Sequence, residues 1–321
     1  MRKRCRYSAA VLTAFLVVCT WSAPAQERSG NVEQDSARSK SDSLVSLAPA
    51  QRGVDPWRLS LIGGAALGTL GATYAYLEDT WWAEKPTSFH FDDGGDLKYA
   101  HNIDKLAHFY GGSIAADMFT RALLWSRVPE RSAVWLGFGL GVFVQMVIEL
   151  KDGFAPRWGY SVWDVGIGSA GALYYTAKHY FPALAATDVK FSYWQYSDKY
   201  FSWIKSGGGA TWNDDYINQT YWLSFKVNSY LPSSSEKYWP DWLAVAIGVG
   251  VDDALDGYEK NNTKLHPGNL EIFLALDVDV TQILPSDNGL WETIKHYLNY
   301  IKFPAPAVRL TPTTVWYGLY F

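Results

Sequence analysis

The chain has 321 residues, with 28 Lys and Arg against 32 Asp and Glu, and a formal charge of −4. That mild acidity argues against nucleic acid as a partner. The 16 Trp, 21 Tyr and 15 Phe suit surfaces that are half wet and half apolar, such as membrane interfaces, whereas a mean hydropathy of −0.12 excludes a protein made mainly of spanning helices.

Residues 1–25 read as an export signal. Arg2, Lys3, Arg4 and Arg6 form a basic start, Tyr7 to Trp21 an apolar stretch too short to span, and Ala23-Pro24-Ala25 a small-x-small cleavage site. The rival is a lipoprotein signal, Leu16-Val17-Val18-Cys19, in which Val18 is bulky where a small residue is usual. Removing the leader takes away four basic residues and moves the charge to −8. It also takes both cysteines, Cys5 and Cys19, so the mature chain has no disulfide, thiolate ligand or thiol nucleophile. Residues 26–54 are mainly polar and read as a flexible tether.

Residues 55–182 read as a helical, membrane-associated bundle of about four helices. Asp55-Pro56 is a good helix start. Leu59 to Leu77 carries no charge and is long enough to span a bilayer, or to form the centre of a soluble bundle. Gly64-x-x-x-Gly68 would allow close approach of a neighbour. Thr80 to His101 is polar, and Asp92-Asp93-Gly94-Gly95-Asp96 reads as a turn because the bidentate Glu of a calcium loop is missing. His90 and His101 read as solvated. The second helix spans Ile103 to Trp125, with Asp117 and Arg121 placed to pair at i,i+4. The third spans Ser132 to Leu150, with Gln145 and Glu149 on one face and Gly137-x-Gly139-x-Gly141 suited to close packing. The fourth runs from Ser161 to about Tyr180. It opens with a capping box, Ser161-Val162-Trp163-Asp164, and is stopped by Pro182.

The period then changes. Residues 188–321 read as an antiparallel, aromatic-rich sheet of five or six strands, so the fold class is α+β. Alternation marks Val189 to Tyr196, Thr220 to Val227, Leu243 to Val251, Ile272 to Val280 and Thr314 to Phe321. Pro232-Ser233-Ser234-Ser235 and Asn261-Asn262 read as turns. Gly289 to Ile301 reads as one late amphipathic helix with Trp291, Ile294, Leu298 and Ile301 on one side, facing either the sheet or a membrane interface. The terminal Val315-Trp316-Tyr317-Gly318-Leu319-Tyr320-Phe321 resembles the last strand of outer-membrane barrels. Closed bacterial barrels need eight strands, however, so a smaller sheet or part-barrel beside the helices is the base reading.

The candidate site consists of polar residues on otherwise apolar helices: Asp104, Lys105, His108, Glu149, Asp152, Arg157, Ser161 and Asp164. Ionisable groups in apolar surroundings cost several kcal/mol unless partnered, so the set is either a lock or a site. As a lock, Lys105 pairs with Glu149 or Asp164, Arg157 clamps a carboxylate, and Asp164 caps its helix. As a site, His108, Glu149, Asp152 and Asp164 would bind a metal or perform acid–base chemistry. No cofactor can be named, membrane lipid is the expected partner, and His179, His266 and His296 have no partner nearby in sequence.

Asp104-Lys105-x-x-His108-Phe109, Glu149-x-Lys151-Asp152-Gly153 and Trp158-Gly159-x-Ser161-x-x-Asp164 resemble the YfiM-like family, bacterial envelope proteins carrying a domain of unknown function, several of them lipoproteins. Asp214-Asp215-Tyr216, residues 219–225, residues 238–243, residues 303–307 and residues 317–321 look like its long members. The resemblance implies an envelope location and leaves activity open. The helical part is similar to the VanZ-like membrane family at Asp104, Lys105, His108, Glu149, Arg157, Ser161 and Asp164. It lacks that family's Gln soon after the Glu and has Gly168 where Asn is usual. The expected role is therefore structural or binding, in the bacterial cell envelope. The alternatives are a metal- or acid–base-dependent enzyme acting on a lipid or cell-wall precursor, and an outer-membrane barrel-like protein.

Overall fold

A computed structural model describes residues 53–80, 82, 85–156, 158–203, 212–253, 259–260, 263–264, 268–283 and 288–321. The expected leader, Cys5, Cys19, nearly all of the tether, Arg157, the Asn261-Asn262 turn and His266 lie outside the described residues. The fold is α+β. Four helices come first: α1 (Pro56–Thr80), α2 (Ile103–Trp125), α3 (Glu130–Asp152) and α4 (Val162–Lys178). The strands are β1 (Thr187–Tyr193), β2 (Gln219–Phe225), β3 (Leu243–Asp252), the two-residue β4 (Glu259–Lys260) and β5 (Thr263–Lys264), and β6 (Asn269–Val278). The chain closes with α5 (Gly289–Leu298), β7 (Ala305–Thr311) and β8 (Val315–Tyr320). Short helical turns at Pro182–Ala185, Lys199–Trp203 and Ser233–Glu236 link them.

Glycine sets the packing of the bundle. A Cβ on Gly112 would lie 1.9 Å from the Gly168 carbonyl oxygen, and one on Gly171 1.9 Å from that of Phe109, so the backbones of α2 and α4 touch. Gly137 seats Thr120, and Gly141 faces Ala116 and Ala172. Gly139 points away, so two of the three expected glycines on α3 serve the contact. The close approach expected at Gly64 and Gly68 is not found: neither has anything within 4 Å of a built Cβ. The reason is that α1 is held near its ends. Asp55 caps it through Trp57 and Arg58 and donates its own N–H to Ser126 O. Arg58 donates to Trp125 O at 2.9 Å. At the other end Leu77 packs with Trp82 and Ala155.

The six-stranded sheet is antiparallel, in the order β1-β2-β3-β6-β7-β8. It curls without closing, so the described residues form no closed barrel. An isolated parallel bridge between Phe191 and Ile301 lays the chain ahead of β7 against β1, and Tyr196 stacks on Tyr320 across the opening. The strand at Ala305–Thr311 escapes the alternation pattern because Pro304 and Pro306 disguise it; Pro belongs at strand starts and edges.

This sheet is apolar on its outward face and mixed on its inner one, where Trp222, Ala246, Phe273, Ala275, Ala307 and Tyr320 form a core beside buried polar groups. One register row crosses all six strands: Val189, Leu223, Ile247, Leu274, Val308 and Trp316. It lies on the outward face, and Leu223, Ile247, Leu274 and Trp316 are exposed, Trp316 at 81 %. The inward face carries Lys190, Ser192, Trp222, Ser224, Phe273 and Asp277, all buried. There Lys190 pairs with Asp277 at 2.7 Å, Ser224 donates to Asp277 at 2.6 Å, and Trp222 Nε1 donates to Ser192. A Cβ on Gly248 would lie 2.5 Å from the Trp222 ring, so this glycine makes the indole's seat. On α5, where the sequence leaves the sheet or a membrane interface open, Ile294 and Leu298 are half-buried. Trp291 and Ile301 are exposed, while Thr293, Lys295 and Tyr297 are buried. Only the β1–β3 end of the outer face is covered, where Ile103 and Tyr110 of α2 pack with Phe191, Tyr221 and Val251.

Lys302 tests the strength of this interior. It is fully buried, with Nζ 4.6 Å from the Trp222 ring centroid and 3.2 Å from the Phe303 carbonyl oxygen it donates to. Burial pushes its pKa down to about 8, against the pull of Asp277. The folded state thus releases this proton more easily than the unfolded chain, so stability rises with pH between about 8 and 10.5. Lys302→Met is expected to raise stability at pH 7 by about 2 kcal/mol in urea denaturation, the gain vanishing above about pH 10.5. No gain at pH 7 would mean that the Trp222 face fully replaces water around the ammonium.

Candidate functional site

Three helix ends meet at the cluster. Asp104, Lys105 and His108 open α2, Glu149 and Asp152 close α3, and Ser161 and Asp164 open α4, so two helix N-termini turn their positive ends towards carboxylates. The structure adds Asp96, from the 3-10 turn Asp96–Asn102. Lys105 is the hub. Its Nζ lies 2.6 Å from Asp96, 2.7 Å from Asp104 and 2.7 Å from Asp164. All three ammonium protons have partners, and although burial works against it, Asp104 and Asp164 hold the charge firmly on. Ser161 Oγ donates to Asp96 at 2.5 Å and accepts from Asp164 N at 3.1 Å, the expected cap. Its N–H donates to Glu149 Oε2 at 3.1 Å. Of the two partners expected for Lys105, Asp164 is one and Glu149 is not. Asp152 stands aside from the hub and accepts from Trp82 Nε1 at 2.6 Å.

The lock is over-supplied with acid. Asp96, Asp104, Glu149, Asp152 and Asp164 surround one lysine and one imidazole among the described residues. Asp104 Oδ1 is buried without a hydrogen-bond partner. Such an excess is relieved by protons or by a cation. Burial, reinforced by Asp152 and Asp164, pushes Glu149 up to about 9. Burial also raises Asp104 to about 7 against the pull of Lys105, and Asp152 to about 7 against the Trp82 hydrogen bond.

His108 lies at the edge of the cluster, with 19 % of its side chain exposed. Its Nδ1 is 2.9 Å from Gln145 Oε1. An amide oxygen only accepts, so Nδ1 donates, and in a neutral imidazole Nε2 carries the lone pair. That lone pair faces Glu149 Oε1 at 3.5 Å and Asp164 Oδ1 at 3.9 Å. A histidine that donates through one nitrogen and offers the other to carboxylates has the arrangement of a metal ligand with its outer support. His108, Glu149 and Asp164 each bring one ligand atom within 4.8 Å of the others. Asp96, Asp104 and Asp164 do so too, but Lys105 occupies that side. Gly168 provides the space for Gln145, since a Cβ there would meet the Gln145 side chain at 2.5 Å.

A second polar centre joins the two halves of the protein. Asp117, fully buried on α2, accepts from Arg121 Nε at 2.9 Å as the i,i+4 spacing predicts. It also accepts from His296 Nε2 at 2.5 Å and Tyr300 Oη at 2.9 Å. Burial opposes its charge, but His296 and Arg121 hold its carboxyl far below the usual range. The partner of His296 therefore exists and lies 179 residues away in the chain. The turn at residues 92–96 is a turn: Asp92 accepts from Gly94 and Asp96, and Asp93 from Gly95.

No protein-family model, curated protein or solved structure matches the chain.

The raised carboxyl of Glu149 fixes a pH dependence. Its folded value of about 9 exceeds the unfolded 4.5, so the unfolded state ionises first and stability falls as pH rises between those limits. In the presence of a chelator, Glu149→Gln is expected to match the parent near pH 4 and to exceed it at pH 8 by on the order of 4 kcal/mol in chemical denaturation. Equal stabilities at pH 8 would show that Glu149 is ionised and compensated.

Proposed function

We propose that this chain is a membrane-associated protein of the bacterial cell envelope with a structural or binding role, lying with an apolar side in a lipid surface. The observation that carries the reading is the outer face of the sheet: its apolar row is exposed while an ion pair is enclosed. In water that arrangement exposes what the hydrophobic effect would bury; against lipid it is the favourable one. A second apolar surface supports the reading. On α3, Leu136, Leu140, Phe143, Val147 and Leu150 form one exposed stripe, and by length and composition this helix could cross a bilayer. The quoted likeness to the YfiM-like family agrees with an envelope location, and the residues 1–25 pattern with export. In this reading the Lys105 hub locks three helix ends in register.

A second reading is favoured by one observation, the free Nε2 of His108 facing Glu149 and Asp164. It makes the cluster a divalent-cation or acid–base site of an enzyme acting on a lipid or cell-wall precursor. There His108, Glu149 and Asp164 would hold the ion, and Gln145 would fix the imidazole.

Flotation of the mature chain with phospholipid vesicles tests the first reading. The parent is expected to float, and Leu274→Asp with Ile247→Asp to lower the floated fraction at least about tenfold with little change in melting, because both sites are exposed. A parent that stays monodisperse in the aqueous fraction sinks the membrane reading. In the same preparation, a rise in melting temperature with Zn²⁺ or Mn²⁺ that His108→Gln abolishes would favour the second.

A further inference from the structure

Away from the Lys105 cluster, a cavity of about 310 Å³ opens where the bundle meets the β region. Arg121 comes to it from α2, Lys178 and His179 from the end of α4, Lys226 from the end of β2, and His296 and Asn299 from α5 and its cap. Asp188 is the one carboxylate among its lining residues. The charges are layered. Arg121, Lys178 and Lys226 keep 28 %, 21 % and 27 % of their side-chain surface, while the carboxylates behind two of them, Asp117 and Asp279, keep 0 % and 2 %. Cations therefore front the cavity and most of their counter-charge lies deeper.

The fronting groups are also fixed in place. Lys178 is 2.6 Å from Asp188, and Lys226 lies 3.2 Å from Asp188 and 3.1 Å from Asp279. Arg121 spends Nε on Asp117 and Nη2 on His296 Nδ1, at 2.9 Å each. Held this way, the cations pay little further entropy to receive a ligand. The N–H groups that Arg121 has left, beside two lysine point charges and the His179 imidazole, match a tetrahedral oxyanion better than a planar carboxylate. The volume exceeds that of a bare oxyanion and falls at the lower bound of small-molecule sites.

We propose that this cavity binds a phosphate group, carried either by a small soluble phosphate ester or by a phospholipid headgroup. The site is separate from the Lys105 cluster and does not depend on how the protein meets a membrane.

The test is calorimetric titration of the full mature chain with inorganic phosphate and with glycerol phosphate, beside flotation with vesicles of phosphatidylcholine alone or with phosphatidylglycerol added. The expected result is saturable binding of glycerol phosphate that Lys226→Gln weakens at least about tenfold, measured well below the variant's own melting temperature. His179→Gln, which leaves the Asp188 pairs untouched, is expected to weaken it less and serves if Lys226→Gln folds poorly. Phosphatidylglycerol-dependent flotation that glycerol phosphate competes away, and that the same variants weaken, assigns the lipid source; binding of the soluble ester alone assigns the other. No saturable binding of any probe, or binding that both variants leave unchanged, overturns the proposal. Because neither Leu274 nor Ile247 lines this cavity, failure of the membrane reading would leave glycerol phosphate binding intact.

Discussion

Buried charges in this protein must satisfy one another away from water, and the architecture follows from that constraint. Lys190 and Asp277 face each other within the curl of the sheet. Asp117 collects Arg121, His296 and Tyr300 where the helices meet α5. Lys105 gathers Asp96, Asp104 and Asp164 at the helix ends. Each centre is a charge whose removal would strand its partners in a low-dielectric setting, a loss of several kcal/mol. They fix register and relative position more than they add net stability, since paired burial roughly breaks even against apolar packing.

The three centres differ in how well they balance. Around Asp117 the donors outnumber the acceptor, and the carboxylate is held ionised. Around Lys105 the acids outnumber the base among the described residues, and Glu149, Asp104 and Asp152 are pushed towards their neutral forms. The first is a finished joint. The second keeps unsatisfied capacity, including a partnerless oxygen on Asp104 and an imidazole lone pair aimed at two carboxyl groups. Unsatisfied capacity at a partly exposed edge is what separates a place that receives a cation or proton from one that merely holds helices together.

What the sequence discloses follows the range of the interactions. The helices were legible from caps and charge-free runs, and the Asp117–Arg121 pair and the Ser161 cap from spacings of four and three residues. Gln145 and Glu149, placed on one face of a helix, do meet the same histidine. Asp96 was hidden because a turn aspartate looks like turn chemistry until Lys105 reaches back nine residues to it. His296 was hidden because its partner lies on another helix far away in the chain. The glycine runs were half legible: Gly137 and Gly141 of α3 do meet a neighbour, yet the Gly64 motif of α1 meets none among the described residues, since spacing reports capacity for contact and not the presence of a neighbour.

The face of α5 stays open in the sequence for a more general reason. Reading an amphipathic pattern assumes that the apolar side turns inward, and that holds only where the surroundings are water. On α5, Lys295 and Tyr297 turn in and Trp291 turns out, while Ile294 and Leu298 are half-buried. Periods of 3.6 and 2 divide each element into faces, and neither period says which face the rest of the protein covers. Neighbours far away in the chain decide that, as α2 covers Tyr221 and Val251 and leaves Leu223 and Leu274 of the same sheet face exposed.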